Sequence, residues 1–332
     1  MSDAAAQADL RAMIAAYWRP HAIACAASLG LAEAMGNASC DAGELAAGLG
    51  VDPLALRRFL RALTAIGLVR DEGDGRFSLT GTGACLAGDH PLSLKGMALH
   101  VATQLSPAFA QLATCVRTGA PPPGVKHGTE GFADFADNSV AAAYDFTRFS
   151  TIMDVGGGYG AVLATLLAGA PQARGCVVDL DHARAGAERL FAAQGVAERA
   201  RFLPASFFDP LPELADAYLL KYIVHDWPDA EACAILARVG AAAAKSEGTV
   251  LLIERILPDQ AHATREDETA FYGDMTMMLW NGRERTEAEF RDLLARGGLA
   301  LTRTVPLSDN HFVIEARPSD QRRRSASRDE EI

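Results

Sequence analysis

Two groups of residues in this chain have types and spacing that suit chemistry. The first is the run Ile152-Met-Asp-Val-Gly-Gly-Gly-Tyr-Gly160, with Asp179 nineteen residues further on. Asp154 stands just ahead of three alternating glycines, Gly156, Gly158 and Gly160. An apolar run leads in, a helix-like segment from Ala161 to Ala168 follows, and a second apolar run, Cys176-Val-Val178, ends at the acid. Strand, glycine turn, helix, strand, acid is the order of a βαβ nucleotide-binding unit. Glycines let backbone come close to a ligand at the carboxyl edge of the sheet, and the acid can hold a ribose diol. The spacing is Gly-x-Gly-x-Gly, not the Gly-x-Gly-x-x-Gly that brings a pyrophosphate to a helix N-terminus. A tight turn with an acid beside it suits a ligand with an amino acid and a ribose but no phosphate, and S-adenosylmethionine fits. The plainer alternative is a glycine-rich turn of an ordinary α/β protein.

The second group starts in Leu219-Leu-Lys-Tyr-Ile-Val-His225-Asp226-Trp227-Pro-Asp229, after the fourth strand of the same domain and at the same edge. A histidine there can act as a general base near neutral pH, since its ordinary pKa is about 6.5. Taken alone, His225 beside an acid reads more simply as a structural histidine. Two further carboxylates change that reading. Glu254 ends the apolar strand Val250-Leu-Leu-Ile253, and Glu284 lies in the polar turn Asn281-Gly-Arg-Glu-Arg-Thr286 before a helix. A carboxylate on one imidazole nitrogen fixes the tautomer and leaves the other nitrogen to take a proton. The competing roles are a strand-end cap for Glu254 and a surface salt bridge for Glu284.

The elements that must position these groups follow from periodicity. From Thr151 onward strands and helices alternate, as in a doubly wound α/β domain. Seven strands are predicted, over 152–155, 175–178, 200–203, 217–222, 249–253, 300–305 and 311–316. Before them, residues 8–36 read as amphipathic helix (Leu10, Ile14, Tyr17, Trp18, Ile23) and Asp41–Gly50 as a short helix with Gly50 as its stop. Asp52-Pro53 opens another helix, because Asp caps and Pro fits the first turn. Leu68–Arg70, an Asp-Glu-Gly-Asp-Gly turn and Arg76–Leu79 then form a hairpin, which completes a winged-helix layout. Residues 90–118 read as helical, and Gly119–Gly124, with three prolines, as a breaker. The domains expected are a winged-helix dimerisation domain over 1–105, a helical linker contributing to a substrate pocket over 106–150, a cofactor-binding catalytic domain over 151–317, and a disordered tail over 318–332, which lacks large apolar residues.

Composition bounds the function classes. With 332 residues the chain is long for one domain and comfortable for two. Its formal net charge of −11 argues against broad binding to phosphate backbones. The second helix of the winged-helix layout carries only Arg57, Arg58 and Arg61, and the wing turn is acidic (Asp71, Glu72, Asp74). Protein contact is therefore the expected use of that module, with no nucleic-acid partner. Six cysteines without a C-x-x-C pair read as thiols of a reduced compartment. No apolar run reaches the eighteen residues of a membrane span and the N-terminus has no signal core, so a cytoplasmic location is expected and no membrane partner.

In the order and spacing of these motifs, over roughly residues 10–317, the chain resembles the metal-independent, S-adenosylmethionine-dependent small-molecule O-methyltransferases. These include the caffeic acid, flavonoid, acetylserotonin and bacterial polyketide or phenazine enzymes. The residues carrying the resemblance are Asp-Val-Gly-Gly-Gly-Tyr-Gly160, Val-Asp179-Leu, Leu-Lys221-Tyr-Ile-Val-His225-Asp226-Trp227-Pro-Asp229, Glu254-Arg-Ile-Leu-Pro258 and Gly282-Arg-Glu-Arg-Thr286. The resemblance implies a Rossmann-like seven-stranded class I methyltransferase domain behind an N-terminal helical dimerisation domain. It implies S-adenosylmethionine as cofactor, S-adenosylhomocysteine as product, no metal, a homodimer and a small aromatic acceptor. It assigns Asp154, Gly156, Gly158, Asp179, Leu180, Ser206, Phe207 and Lys221 to the cofactor. It assigns His225 as base framed by Glu254 and Glu284, and Met277, Trp280 and Asn281 to the acceptor; plain core packing is an equal reading of Met277.

Two departures stand out. The family places an acid that reads the adenine amino group where this chain has Ser206, in Pro204-Ala-Ser-Phe-Phe208. Family members also carry about twenty more residues of helix where Gly131–Phe146 crosses almost directly to the glycine-turn strand. Both leave room for the chemistry of relatives that keep the cofactor but hydroxylate, decarboxylate or rearrange, and a winged-helix regulator that senses the cofactor is a third reading.

Overall fold

The computed structural model describes residues 3–122, 140, 143–307 and 311–319. The chain divides into two compact units between Gln111 and Leu112. The expected tail lies almost wholly outside the described residues, and so does most of the Gly131–Phe146 crossing.

The first unit has helices Asp3–Ala15, Trp18–Ser28, Leu31–Met35, Ala42–Leu49 and Pro53–Ala65. A three-stranded sheet joins β1 (Cys40–Asp41), β2 (Val69–Gly73) and β3 (Arg76–Leu79). The caps follow the sequence signals. Asp41 accepts from the N–H groups of Gly43 and Glu44, and Gly50 closes that helix at φ 66. Asp52 accepts from the N–H of Ala55, with Pro53 in the first turn. Leu31, Leu60, Leu63 and Phe77 pack at the centre of this unit. β1 is an addition to the expected hairpin; two residues are too few for a periodic signal. The first helix leaves Leu10, Met13 and Ile14 exposed on one face, and Tyr17, in the turn that follows it, is exposed as well. The helical reading of 90–118 is broken into Lys95–His100, a π-helical turn Val101–Leu105, Ser106–Phe109 and Leu112–Thr118.

The second unit is built on one mixed sheet. Its strands are β4 (Thr151–Val155), β5 (Arg174–Asp179), β6 (Ala200–Pro204), β7 (Ala217–Lys221), β8 (Thr249–Leu257), β9 (Arg285–Thr286), β10 (Leu299–Pro306) and β11 (His311–Pro318). The order is β10-β11-β8-β7-β4-β5-β6, with β9 paired to the end of β8. β4 to β8 run parallel, and β11 is antiparallel to both β8 and β10. Successive residues of each strand face opposite cores. Ile152, Val177, Leu219 and Leu251 pack with Leu163, Leu167 and Phe191 on one side. Met153, Val178, Leu220 and Leu252 pack with Ile235, Val239 and Phe290 on the other. Burial on both faces explains why these strands read as unbroken apolar runs. The chain reverses direction across the sheet between β5 and β7, on either side of β4, and the carboxyl ends at such a switch point are where ligands sit.

Seven expected strands are present, with two corrections. Glu254 is not a strand end: β8 continues through Leu257, because β11 pairs on past it, Phe312 opposite Glu254 and His311 opposite Arg255, and β9 then pairs with Ile256 and Leu257. Tyr222 is not in β7: it turns out of the strand at φ 55. The small strand β9 was not expected.

Candidate active site

The glycine turn forms a cradle at the ends of β4 and β5. Gly156 donates its N–H to Val178 O at 2.7 Å, which locks the turn to the neighbouring strand. A Cβ on Gly156 would stand 2.5 Å from Ile223 and 3.4 Å from Phe207, so no side chain fits there, and at φ 75 none is favoured. Gly158 is also left-handed, but nothing lies within 4 Å of its missing Cβ. The turn is closed on its inner side and open at Gly158.

Asp179 is tied into this cradle. Its Oδ2 accepts the N–H of Gly158 at 2.8 Å and its Oδ1 accepts that of Leu180 at 2.6 Å. Each oxygen keeps a further acceptor direction for a ligand hydroxyl. Leu180 beside it is 54% exposed, an apolar surface at the mouth of the turn. Asp154 lies beneath the turn, and a Cβ on Gly157 would meet its carboxylate at 2.4 Å. Its Oδ2 is buried without a hydrogen-bond partner. Burial, and secondarily Asp179, pushes this carboxyl up to about 7, against the pull of Lys221. Lys221 follows on β7, its ammonium 4.9 Å from the Tyr222 ring centre. Beyond β6, Ala205 donates to Asp179 O at 3.0 Å, which brings Ser206 and Phe207 alongside the acid. The Ser206 hydroxyl accepts the N–H of Phe208 at 3.2 Å. An open glycine cradle, an acid with spare acceptor directions and a second acid with one unpartnered oxygen fit a ligand with a diol and positive charge.

The second group is brought together from three distant segments. His225 is 7% exposed, Glu254 0% and Glu284 4%. The His225 Nδ1 lies 3.2 Å from Glu284 Oε1 and 3.6 Å from Glu254 Oε2. Its Nε2 lies 3.4 Å from Asp226 at the more open side. The ring stacks on Tyr222, centroids 5.4 Å apart and planes at 17°. A left-handed backbone is uncommon for a bulky residue and costs about 1–3 kcal/mol; at Tyr222 that conformation sets an aromatic ring against the imidazole. Burial works against a charge on His225, but Glu254, Glu284 and Asp226 outweigh it and raise the imidazole to about 10. Glu254 in turn is raised to about 7, by burial first, with His225 opposing. The group as a whole therefore holds a proton firmly, with the imidazole as its first site.

Neither plain role survives: Glu284 is no surface residue and Glu254 no strand cap. Glu254 Oε1 accepts the N–H groups of Val224 and His225, at 2.9 and 3.3 Å. Glu284 is held by its own backbone, whose N–H donates to Asp274 at 3.0 Å. The second oxygens of Glu254 and Glu284 are buried without hydrogen-bond partners. The helix Arg265–Leu279 carries Met277, which is buried, and Trp280 caps it. Asn281 is exposed and left-handed at φ 69. The turn after it crosses the histidine: Arg283 N–H donates to His225 O at 2.8 Å, and a Cβ on Gly282 would stand 2.3 Å from that oxygen. Asp274 and Arg285 are contributors the sequence reading missed. Both sit beside flagged residues, but an isolated Asp in a helix and an Arg in a polar turn give no signal of burial.

Comparison with known proteins places this architecture. The O-methyltransferase domain matches residues 125–300, and the O-methyltransferase dimerisation domain matches residues 12–89. The chain is 32% identical to the phenazine O-methyltransferase PhzM of Lysobacter antibioticus, over 92% of this chain and 94% of that one. It is similar in structure to an O-methyltransferase from neocarzinostatin biosynthesis, solved in complex with S-adenosylmethionine and 2-hydroxy-5-methyl naphthoic acid. The TM-score is 0.75 and the identity 32%, with 90% of this chain and 96% of that chain covered. It is also 34% identical to the aclacinomycin 10-hydroxylase RdmB of Streptomyces purpurascens, over 75% of this chain and 72% of that one. The chain belongs to the O-methyltransferase family that joins a dimerisation domain to a class I catalytic domain, and it is an S-adenosylmethionine-dependent O-methyltransferase. Among the described residues no helix is long and apolar enough to cross a membrane.

Proposed function

We propose that this enzyme methylates a phenolic or enolic hydroxyl of an aromatic small molecule, with His225 as the base. The observation that carries the reading is the histidine itself: a buried imidazole at the cofactor edge of the sheet, its Nδ1 held by Glu284 and Glu254 and its Nε2 on the more open side. When bound, S-adenosylmethionine supplies an activated methyl group, so the residues need only orient the acceptor oxygen and take its proton. A phenol has an ordinary pKa of about 10. An imidazole raised to about 10 matches it, so proton transfer between them is close to even. The same match means that His225 holds its own proton at neutral pH in the free enzyme. Turnover should then rise with pH until that proton is lost.

We assign the cofactor to Asp154, Gly156, Gly158, Asp179, Leu180, Ser206, Phe207 and Lys221, and the acceptor to the neighbourhood of Met277, Trp280 and Asn281. The exposed apolar residues Met13, Ile14 and Tyr17, within a matched dimerisation domain from residue 12, with Leu10 just ahead of it, support a homodimer. A hydroxylase among the relatives supports a second reading, in which the cofactor is kept but the methyl is not transferred. The two separate in one assay. Labelled methyl from S-adenosylmethionine is followed into hydroxylated naphthoic and phenazine carboxylic acids, with S-adenosylhomocysteine counted as product. Methylated acceptor with stoichiometric S-adenosylhomocysteine is expected. Acceptor altered without any S-adenosylhomocysteine would overturn methyl transfer in favour of the second reading.

A further inference from the structure

The segment that carries His225 is a single 3-10 turn, Val224–Asp226, between β7 and the helix Asp229–Ser246. So short a segment makes only two backbone hydrogen bonds of its own, Asp226 N–H to Ile223 O at 3.2 Å and Trp227 N–H to Val224 O at 3.4 Å, and its other buried backbone groups need partners from elsewhere. Two places supply them. Glu254 takes the N–H groups of Val224 and His225. Arg283 and Arg285 take the carbonyls: the Arg283 N–H donates to His225 O, and the Arg285 guanidinium donates to Val224 O at 3.1 Å and to Trp227 O at 2.9 Å.

Arg285 is 1% exposed, and its fork is fully used. Nε and Nη2 donate to Asp229 Oδ1 at 3.1 and 2.8 Å, and Nη1 also reaches Arg283 O at 3.3 Å. One planar cation thus holds a carbonyl on each side of the histidine and the first acid of the following helix. Thr286, next in the chain, caps the helix Glu287–Arg296 with a capping box, which anchors the strand that presents the fork. A buried guanidinium costs several kcal/mol unless each donor is met, and here the acceptors are the backbone of the catalytic turn.

We propose that Arg285 is the positioning residue for His225. It fixes the peptide planes from Val224 to Trp227, so that Nδ1 stays on Glu284 and Glu254 and Nε2 stays on the more open side, beside Asp226, toward an acceptor. This rests on His225 being the base. An arginine is needed because five donors in a rigid fork span three carbonyls and a carboxylate at once; a lysine ammonium keeps the charge but offers its donors from one atom. Lysine at 285 therefore removes the fork alone and leaves the local charge in place.

The test uses the full-length chain with ring-labelled histidine, whose eight histidines are separated by a His225→Gln reference. The His225 ring is titrated by NMR in wild type and R285K, both with saturating S-adenosylhomocysteine, which favours the folded chain by mass action. In R285K the His225 pKa is expected to fall by about one unit or more toward 6.5, and its tautomer to become mixed. Affinity for S-adenosylhomocysteine should stay within about threefold, since the fork touches no cofactor residue. An unchanged titration and tautomer in R285K would overturn the proposal. So would an R285K chain that cannot fold even with the nucleoside bound, because the residue would then serve folding only. A His225→Ala enzyme that still transferred methyl would instead sink the base reading, and the titration result would stand apart from it.

Discussion

The two halves of the site are built by opposite means. The cofactor edge is made mostly of backbone: a turn that excludes side chains at Gly156, opens at Gly158 and is pinned by Asp179 through two N–H groups. The proposed base is made of side chains, drawn from residues 225, 254 and 284 and buried together. A backbone cradle tolerates neighbours but depends on glycine geometry. A buried charged trio tolerates no loss of a partner, because each remaining charge is left uncompensated. Damage to the cradle should therefore show as lost affinity, and damage to the trio as lost rate.

Four substitutions break or sharpen that contrast. The largest effect is expected from His225→Ala: single-turnover methyl transfer should fall about 10²–10⁴-fold, as for loss of a general base, with S-adenosylhomocysteine affinity by calorimetry unchanged. Next, Asp179→Ala should do the reverse. Affinity should weaken about 10–100-fold, the value of hydrogen bonds to a charged group, while the rate at saturating cofactor changes little.

The third concerns stability. The Asp154 carboxyl is raised to about 7 in the folded chain from an ordinary 3.8. Between those values the folded state binds more protons than the unfolded one, so stability is present below pH 3.8 and is lost as pH rises through about 7. Asp154→Asn removes that loss. It should raise stability at pH 8 by something on the order of 2–4 kcal/mol and leave it nearly unchanged at pH 4. Equal melting curves of the two proteins at pH 8 would contradict the burial argument. The smallest effect is expected from Ser206→Asp, which restores the acid that the resemblance leads one to expect beside adenine. Affinity for the cofactor should tighten about threefold to tenfold, read by the same calorimetry.

The cradle was legible in the chain because its physics is local. Left-handed turns select glycine, and an acid at the end of the next strand falls at a fixed distance along the chain. The N-cap at Asp52 and the stop at Gly50 were legible for the same reason. The members of the trio were legible as candidates, but their burial was not, since nothing local in Glu254 or Glu284 says that it is buried. The extent of β8 escaped because Glu254-Arg255 interrupts the apolar run on paper; pairing with β11 and then with β9 holds the strand on to Leu257. Arg285 escaped because a charged residue in a polar turn reads as solvated, whereas here the turn folds its guanidinium into the protein.

The central claim is that His225 is a base whose proton affinity is set by buried acids. It is tested most directly by the pH dependence of single-turnover methyl transfer, wild type beside Glu284→Gln, on an acceptor identified by the labelled-methyl screen. In wild type the rate should climb with pH toward about 10, where His225 loses its proton. In Glu284→Gln, with one acid neutralised, the rise should begin about one pH unit or more lower. Ionisation of the acceptor would give a limb at the same pH in both proteins. A flat profile, or a limb that Glu284→Gln leaves in place, would contradict the account.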